Sequence, residues 1–165
     1  DFCKKIGVIK KTRKSDHFLI GARIESFILG KGLQDGLKRA IAYSKAGADL
    51  IFVESPSTLE EIKAIPKKIR KPTLYNMAAS GKTPFLKNTE IEKFGFKVVI
   101  YPNFAMLAAV PAVRHYLSEL KTNGTVAHLV NEMASFQDLF NLVGMETVRQ
   151  MEEKYSVDQE SRVDF

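Results

Sequence analysis

Apolar residues along this chain fall into short continuous runs that end in polar or charged positions. Phe18-Leu19-Ile20 leads through Gly21-Ala22 to Arg23 and Glu25, and Leu50-Ile51-Phe52-Val53 stops at Glu54. Runs of this length are what strands buried on both faces look like, and they predict strands over 17–22 and 50–53. Thr73-Leu74-Tyr75 gives a third strand, ending at Asn76, and 97–101 a fourth, ending at Pro102-Asn103. The intervening segments switch to helical spacing. A helix is expected over 1–14, with Phe2, Ile6 and Ile9 on one face, broken at Ser15-Asp16. After a loop over 26–32, Leu33, Leu37, Ala40 and Ile41 mark the next helix, with Gly47 as its C-cap. Ser57-Thr58-Leu59-Glu60 reads as a capping box that starts a third helix, which Pro66 stops. Asn88-Thr89-Glu90-Ile91 opens a short helix ended by Gly95. Leu107, Val110, Val113, Leu117 and Leu120 form a long amphipathic one, closed by Asn123-Gly124. A last helical region spans 135–155 with a break near Gly144, and the polar tail 156–165 is expected to be disordered.

Four successive strand-then-helix units argue for an α/β fold with a parallel sheet and helical crossovers. The pattern leaves two closures open. Four strands can form a small open sheet, or they can form half of a (β/α)8 barrel, which typically needs about 250 residues. In barrels of this kind the chemistry sits at the C-terminal ends of the strands. Arg23, Glu54 and Asn76 are placed there by the pattern.

Composition narrows the function classes. At 165 residues, 45% hydrophobic and 27% charged, the chain suits a globular domain with a sizeable core. No apolar run reaches the roughly 18 residues of a membrane span, and no segment reads as a signal peptide. A lone cysteine, Cys3, rules out an internal disulfide framework and fits a reducing, cytoplasmic setting. Asp1 in place of Met is what a processed or partial chain shows. The net charge of +6 is concentrated in Lys4-Lys5, Lys10-Lys11, Arg13-Lys14 and the 67–71 stretch. These clusters lack interleaved aromatics for base stacking, so they read as solvated faces and no nucleic-acid partner is expected. The positive balance suits attraction of a small anionic substrate.

Gly21-Ala22-Arg23-Ile24-Glu25-Ser26 resembles the strand-end signature of the isocitrate lyase and phosphoenolpyruvate mutase superfamily. Phe52-Val53-Glu54-Ser55-Pro56 resembles its lyase branch, as does the loop Asn76-Met77-Ala78-Ala79-Ser80-Gly81-Lys82-Thr83-Pro84. Phe94-Gly95-Phe96 and Ile100-Tyr101-Pro102 match its last strand. The resemblance runs from about residue 1 to 155. It implies a (β/α)8 TIM-barrel type of fold, of which the chain supplies about the last four βα units plus C-terminal helices. The implied division is a barrel half over 1–125 and a helical extension over 126–165, exchanged between subunits of a homotetramer. The family's paired metal-binding aspartates and its gating loop with a catalytic cysteine belong to an N-terminal half with no counterpart here. Cys3 lacks that loop's neighbours.

The resemblance further implies Mg2+-dependent cleavage of a carbon–carbon bond in a 2-hydroxy di- or tricarboxylate, through the enolate of a 2-oxo acid. Mutase-type chemistry on phosphoenolpyruvate or phosphonopyruvate, oxaloacetate decarboxylation, and a non-catalytic half barrel are the alternatives. Arg23 is expected to clamp a carboxylate through its guanidinium fork, or else to form a structural ion pair with Glu25 or Glu54. Glu54 is expected near the substrate carboxylate or in a base relay. Glu25 is expected to position Arg23 or a metal-bound water. Asn76 and Ser80 are expected to hydrogen-bond a carboxylate, and Pro102 to shape the pocket. Ala78 stands where relatives often carry a hydroxyl, which thins the carboxylate contacts.

Other motifs carry less. Gly81-Lys82-Thr83 looks like the tail of a P-loop, but Asn76 stands where the first glycine is required, and Pro84 follows. His17, His115 and His128 have no metal-ligand spacing. The stripe Phe136, Leu139, Phe140 and Val143 reads as packing or as an interface.

Overall fold

The computed structural model describes residues 1–79 and 81–155. Helix α1 (Phe2–Thr12) precedes strand β1 (Gly21–Ile24), and three further units follow: α2 (Gly32–Ala46) to β2 (Leu50–Val53), α3 (Leu59–Lys68) to β3 (Thr73–Asn76), and α4 (Asn88–Phe94) to β4 (Val98–Ile100). Helix α5 (Phe104–Asn123), a 3-10 turn over Ala127–Glu132, α6 (Phe136–Leu142) and α7 (Met145–Tyr155) complete the described chain. Two compact units are present, Asp1–Ala108 and the segment from Ala109 onward.

Strand order decides between the two closures. The four strands are parallel and run β1-β2-β3-β4, in chain order. A doubly wound sheet reverses direction at a switch point, which places helices on both faces. Here every crossover advances the same way, so right-handed connections put the helices on one face. Burial agrees. Ala22, Ile24, Ile51, Val53, Thr73 and Tyr75 are buried on that face, with Leu37, Ala40, Ile62, Ile65 and Ile91 from the helices against them. The alternate residues Arg23, Phe52, Leu74 and Asn76 lie on the other face, more open than their neighbours. This is the arrangement of an arc of a (β/α) barrel, and it corrects the expectation of strands buried on both faces: β1 alternates exposed and buried.

Several local readings shift for identifiable reasons. The first strand begins at Gly21 rather than His17, leaving Phe18 and Leu19 60% and 68% exposed. Side chains hold that approach. Arg13 donates to the Phe18 carbonyl at 3.2 Å, and Asp49 accepts from the Ile20 N–H at 2.9 Å and from Arg13 at 2.6 Å. The capping box lies one residue later than expected. Thr58 Oγ1 accepts from the Glu61 N–H at 3.2 Å, and Glu61 accepts from the Thr58 N–H at 3.1 Å. Pro66 does not stop α3, which runs on to Lys68. Ile62 and Ile65, buried in the core, carry the helix past the missing N–H. Gly95 sits at φ 108°, and a Cβ there would come 3.2 Å from the Pro66 Cβ, so glycine lets the two elements approach.

Gly47 ends α2 as expected, at φ 121°, and Gly144 separates α6 from α7 at φ 73°. The apolar residues predicted to give α5 a packed face are exposed instead, Leu107 at 49% and Leu117 at 60% among them. The tail 156–165 lies outside the described residues.

Candidate active site at the strand ends

Parallel register brings the polar strand ends together. Arg23 lies opposite Phe52 in the β1–β2 ladder, Phe52 opposite Leu74, and Asn76 opposite Ile100. The Glu54 N–H donates to the Ile24 carbonyl at 3.0 Å, which extends the ladder one residue and fixes Glu54 beside Arg23 and Glu25. Side chains two apart on a strand share a face. Arg23 and Glu25 therefore project together.

Arg23 is held on three sides. Its Nε donates to Glu25 at 2.6 Å, its Nη2 pairs with Glu54 at 3.0 Å, and its Cζ lies 5.0 Å from the centre of the Phe52 ring. Both structural ion pairs anticipated for Arg23 are formed, and Nη1 carries no bond among the described residues. The fork keeps one open edge with which to meet a carboxylate. Glu54 is 7% exposed. It accepts from Ser55 Oγ at 3.0 Å, and the Asn76 amide nitrogen stands 3.5 Å from both of its oxygens. That amide is too distant for a strong bond. Asn76 Oδ1 is buried without a partner among the described residues, so the amide has an acceptor unspent, which is costly in a buried place.

The structure thus joins Arg23, Glu25, Glu54 and Asn76 in one cluster. Pro102 lies at the same end of the sheet, in the turn after β4. Ser80 lies outside the described residues. Arg23 contributes one positive charge and Glu25 and Glu54 two negative ones. An incoming anion gains no net attraction from this trio until a carboxylate moves aside or further positive charge arrives.

The trio is not a magnesium cage. Magnesium needs near-octahedral oxygen ligation, and both carboxylates here are turned onto a guanidinium. No group of three or more His, Cys, Asp or Glu among the described residues is placed to hold a metal.

Two residues near the cluster stand in the strand-end motifs with no role assigned to them from the sequence. Ser55 adopts φ 60°, a left-handed conformation rare outside glycine, directly after Glu54. Ser26, 1% exposed, donates to Asp35 at 2.7 Å, and Arg39 donates to the same oxygen at 2.6 Å. The Arg39 and Ser26 bonds hold the Asp35 carboxyl below its ordinary range. Through them the loop after Glu25 is tied to the first turn of α2. Farther round, Tyr75 donates to the Pro84 carbonyl at 2.6 Å and pins the far end of the loop that begins at Met77. Burial pushes the Tyr75 hydroxyl up to about 12, so it remains a donor at working pH.

An arc of parallel strands with arginine, glutamate and asparagine on its C-terminal rim is the layout in which (β/α) barrels carry their active sites. The chain matches the phosphoenolpyruvate phosphomutase family over residues 1–121, and it belongs to the isocitrate lyase/phosphoenolpyruvate mutase superfamily. It is 38% identical over 152 residues to a 2,3-dimethylmalate lyase of Eubacterium barkeri, covering 92% of this chain and 52% of that protein. It is 32% identical to a 2-methylisocitrate lyase of Bacillus subtilis, covering 87% of this chain and 46% of that protein. A crystal structure of phosphonopyruvate hydrolase in complex with oxalate and Mg2+ superposes with a TM-score of 0.81 at 31% identity, covering 93% of this chain and 55% of that one. The chain spans about half the length of these relatives. No helix among the described residues is long and apolar enough to cross a membrane.

Proposed function

We propose that this chain supplies one side of the active site of a carbon–carbon lyase acting on a small 2-hydroxy di- or tricarboxylate, with Arg23 and Glu54 as its catalytic residues. The observation that carries the reading is the open Nη1 edge of Arg23, held over Phe52 by Glu25 and Glu54 at the end of two adjacent strands. A guanidinium so held meets a carboxylate through two parallel N–H donors. Lyase chemistry then requires that the 2-hydroxyl lose its proton as the adjacent C–C bond breaks. The hydroxyl-bearing carbon becomes the carbonyl of a 2-oxo acid, and the departing fragment leaves as an enolate that takes up a proton. Glu54 lies within reach of the Arg23-bound end of such a ligand, where it orients the clamp or relays the proton. Asn76 offers its unspent acceptor to the substrate hydroxyl or to a water, Pro102 completes the rim, and the Ser80 hydroxyl is proposed as a further donor to the carboxylate.

An Mg2+ requirement is supported by the phosphonopyruvate hydrolase complex, and it would supply the positive charge the rim trio lacks. No described residue of this chain is offered as its ligand. A homotetramer built through the C-terminal helices is part of the same proposal. It is supported by the exposed Phe136, Leu139, Leu142 and Met151 and tested by sedimentation.

A mutase-type or phosphonopyruvate-cleaving activity is the second reading, favoured by Arg23-Ile24-Glu25 and by the phosphomutase family match. Product analysis with Mg2+ and 2,3-dimethylmalate, 2-methylisocitrate, oxaloacetate and phosphonopyruvate separates the two. A 2-oxo acid released from either hydroxy acid supports the lyase. Orthophosphate or phosphoenolpyruvate formed from phosphonopyruvate supports the second reading. A folded protein inert towards all four leaves a non-catalytic binding role.

A further inference from the structure

Arg23 and Phe52 are Cα partners in the β1–β2 ladder, so their side chains leave the sheet on the same face. The Arg23 Cζ lies 5.0 Å from the Phe52 ring centre, inside the range in which the ring's negative face attracts a cation. Glu25 accepts from Nε at 2.6 Å, and Glu54 stands 3.0 Å from Nη2 as an ion pair. A single directional bond at Nε, with an ion pair beside it, sets the distance between the charges and leaves the tilt of the guanidinium plane free. Half of the Arg23 side chain is exposed among the described residues, and the Phe52 ring is the π face set against it. Leu74, the next residue across the register, has no π face with which to share the task.

We propose that Phe52 is a positioning residue for Arg23, the platform that sets the plane of the guanidinium and so the direction of its open Nη1 edge. The consequence for a carboxylate ligand rests on the clamp reading above; the platform itself does not. Phe52→Leu keeps an apolar side chain and removes the π face, and Phe52→Met supplies the same comparison where leucine packs badly. Phe52→Tyr keeps the ring.

The ligand-free test is the NMR signal of the Arg23 side-chain N–H groups. A ring facing them shifts their protons upfield. That shift is expected to persist in Phe52→Tyr and to vanish in Phe52→Leu, with faster motion of the guanidinium. The second readout is calorimetric titration with oxalate in the presence of Mg2+. Phe52→Leu is expected to weaken binding about three- to tenfold, and Phe52→Tyr by about twofold at most. An Arg23 signal that is the same in wild type and Phe52→Leu overturns the proposal. So does equal weakening by Phe52→Leu and Phe52→Tyr, which would mark a packing role only. A wild-type protein with the ring shift but no affinity for oxalate upholds the platform and removes the clamp reading instead.

Discussion

Replacing Glu54 with glutamine tests whether Arg23 and Glu54 act as a unit. The side chain keeps its shape, and its amide can still meet Ser55, whose hydroxyl turns acceptor. What is lost is the charge facing Arg23 Nη2 at 3.0 Å. Two unit charges about 4 Å apart attract with roughly 4 kcal/mol at an effective dielectric near 20. Three corrections reduce that figure. Arg23 is 52% exposed and retains Glu25, the amide oxygen keeps part of the dipolar attraction to the guanidinium, and a neutral side chain escapes the cost of burying a carboxylate. A net loss of about 1 kcal/mol remains, lowering the melting temperature by about 2–4 °C for a chain of this size. The sharper quantity is the coupling between the partners. Urea unfolding of wild type, Glu54→Gln, Arg23→Met and the double variant, followed by circular dichroism, should give about 1 kcal/mol of coupling. Independent sites add to within about 0.3–0.5 kcal/mol. A coupling inside that margin would refute the pairing and, with it, the role given to Glu54 in aiming Arg23.

Other outcomes follow from the packing around the site. The Ile20 N–H, with Arg13 beside it, holds the Asp49 carboxyl below its ordinary range. Its stabilising contribution is therefore complete above the unfolded carboxylate value and is lost as pH falls through the lower folded one. Asp49→Asn should flatten that acid limb of the stability–pH curve, and an unchanged limb would contradict the assignment. Gly47→Ala should cost about 1–3 kcal/mol through its positive φ and a Cβ that would meet the Lys10 side chain. Adding Lys10→Ala should recover the share owed to the Lys10 Cγ and Cδ and leave the backbone share together with the 3.2 Å approach of the Lys10 Cβ, as read by thermal denaturation. Tyr75→Phe should remove about 1 kcal/mol and speed amide exchange in the segment between Met77 and Pro84. Exchange that stays slow would mean the Tyr75–Pro84 bond does not restrain the loop.

The strand-helix alternation and the polar strand ends were legible because each depends on residues close in sequence. Glu54 and Asn76 could be placed on the rim from the lengths of their apolar runs alone. Hydrophobic patterning left an open sheet and a barrel arc undecided, because the choice depends on strand order, which no local pattern carries; the family resemblance of the strand-end motifs implied the barrel, and the strand order agrees. The start of β1 was misplaced because side chains on other segments take up the backbone groups ahead of it: Arg13 holds the Phe18 carbonyl and Asp49 the Ile20 N–H. Pro66 misled for a similar reason: the burial of Ile62 and Ile65 outweighs a local breaker. At the site, Phe52 entered only as part of an apolar run and of a lyase-like motif, since the register that sets it opposite Arg23 is not a local property. The left-handed backbone at Ser55 gave no signal because serine is not a residue that marks positive φ.

Each strand alternates between a side chain sealed among the helices and one displayed on the opposite surface. Ala22, Val53 and Tyr75 answer to packing, while Arg23, Phe52 and Asn76 answer to whatever meets the open side. Selection can therefore rewrite one set without disturbing the other. Neighbouring strands meet only their chain neighbours, so a new reactive group is introduced by changing a single position in one βα unit. A lineage built this way can trade bond cleavage for group transfer while its interior stays the same.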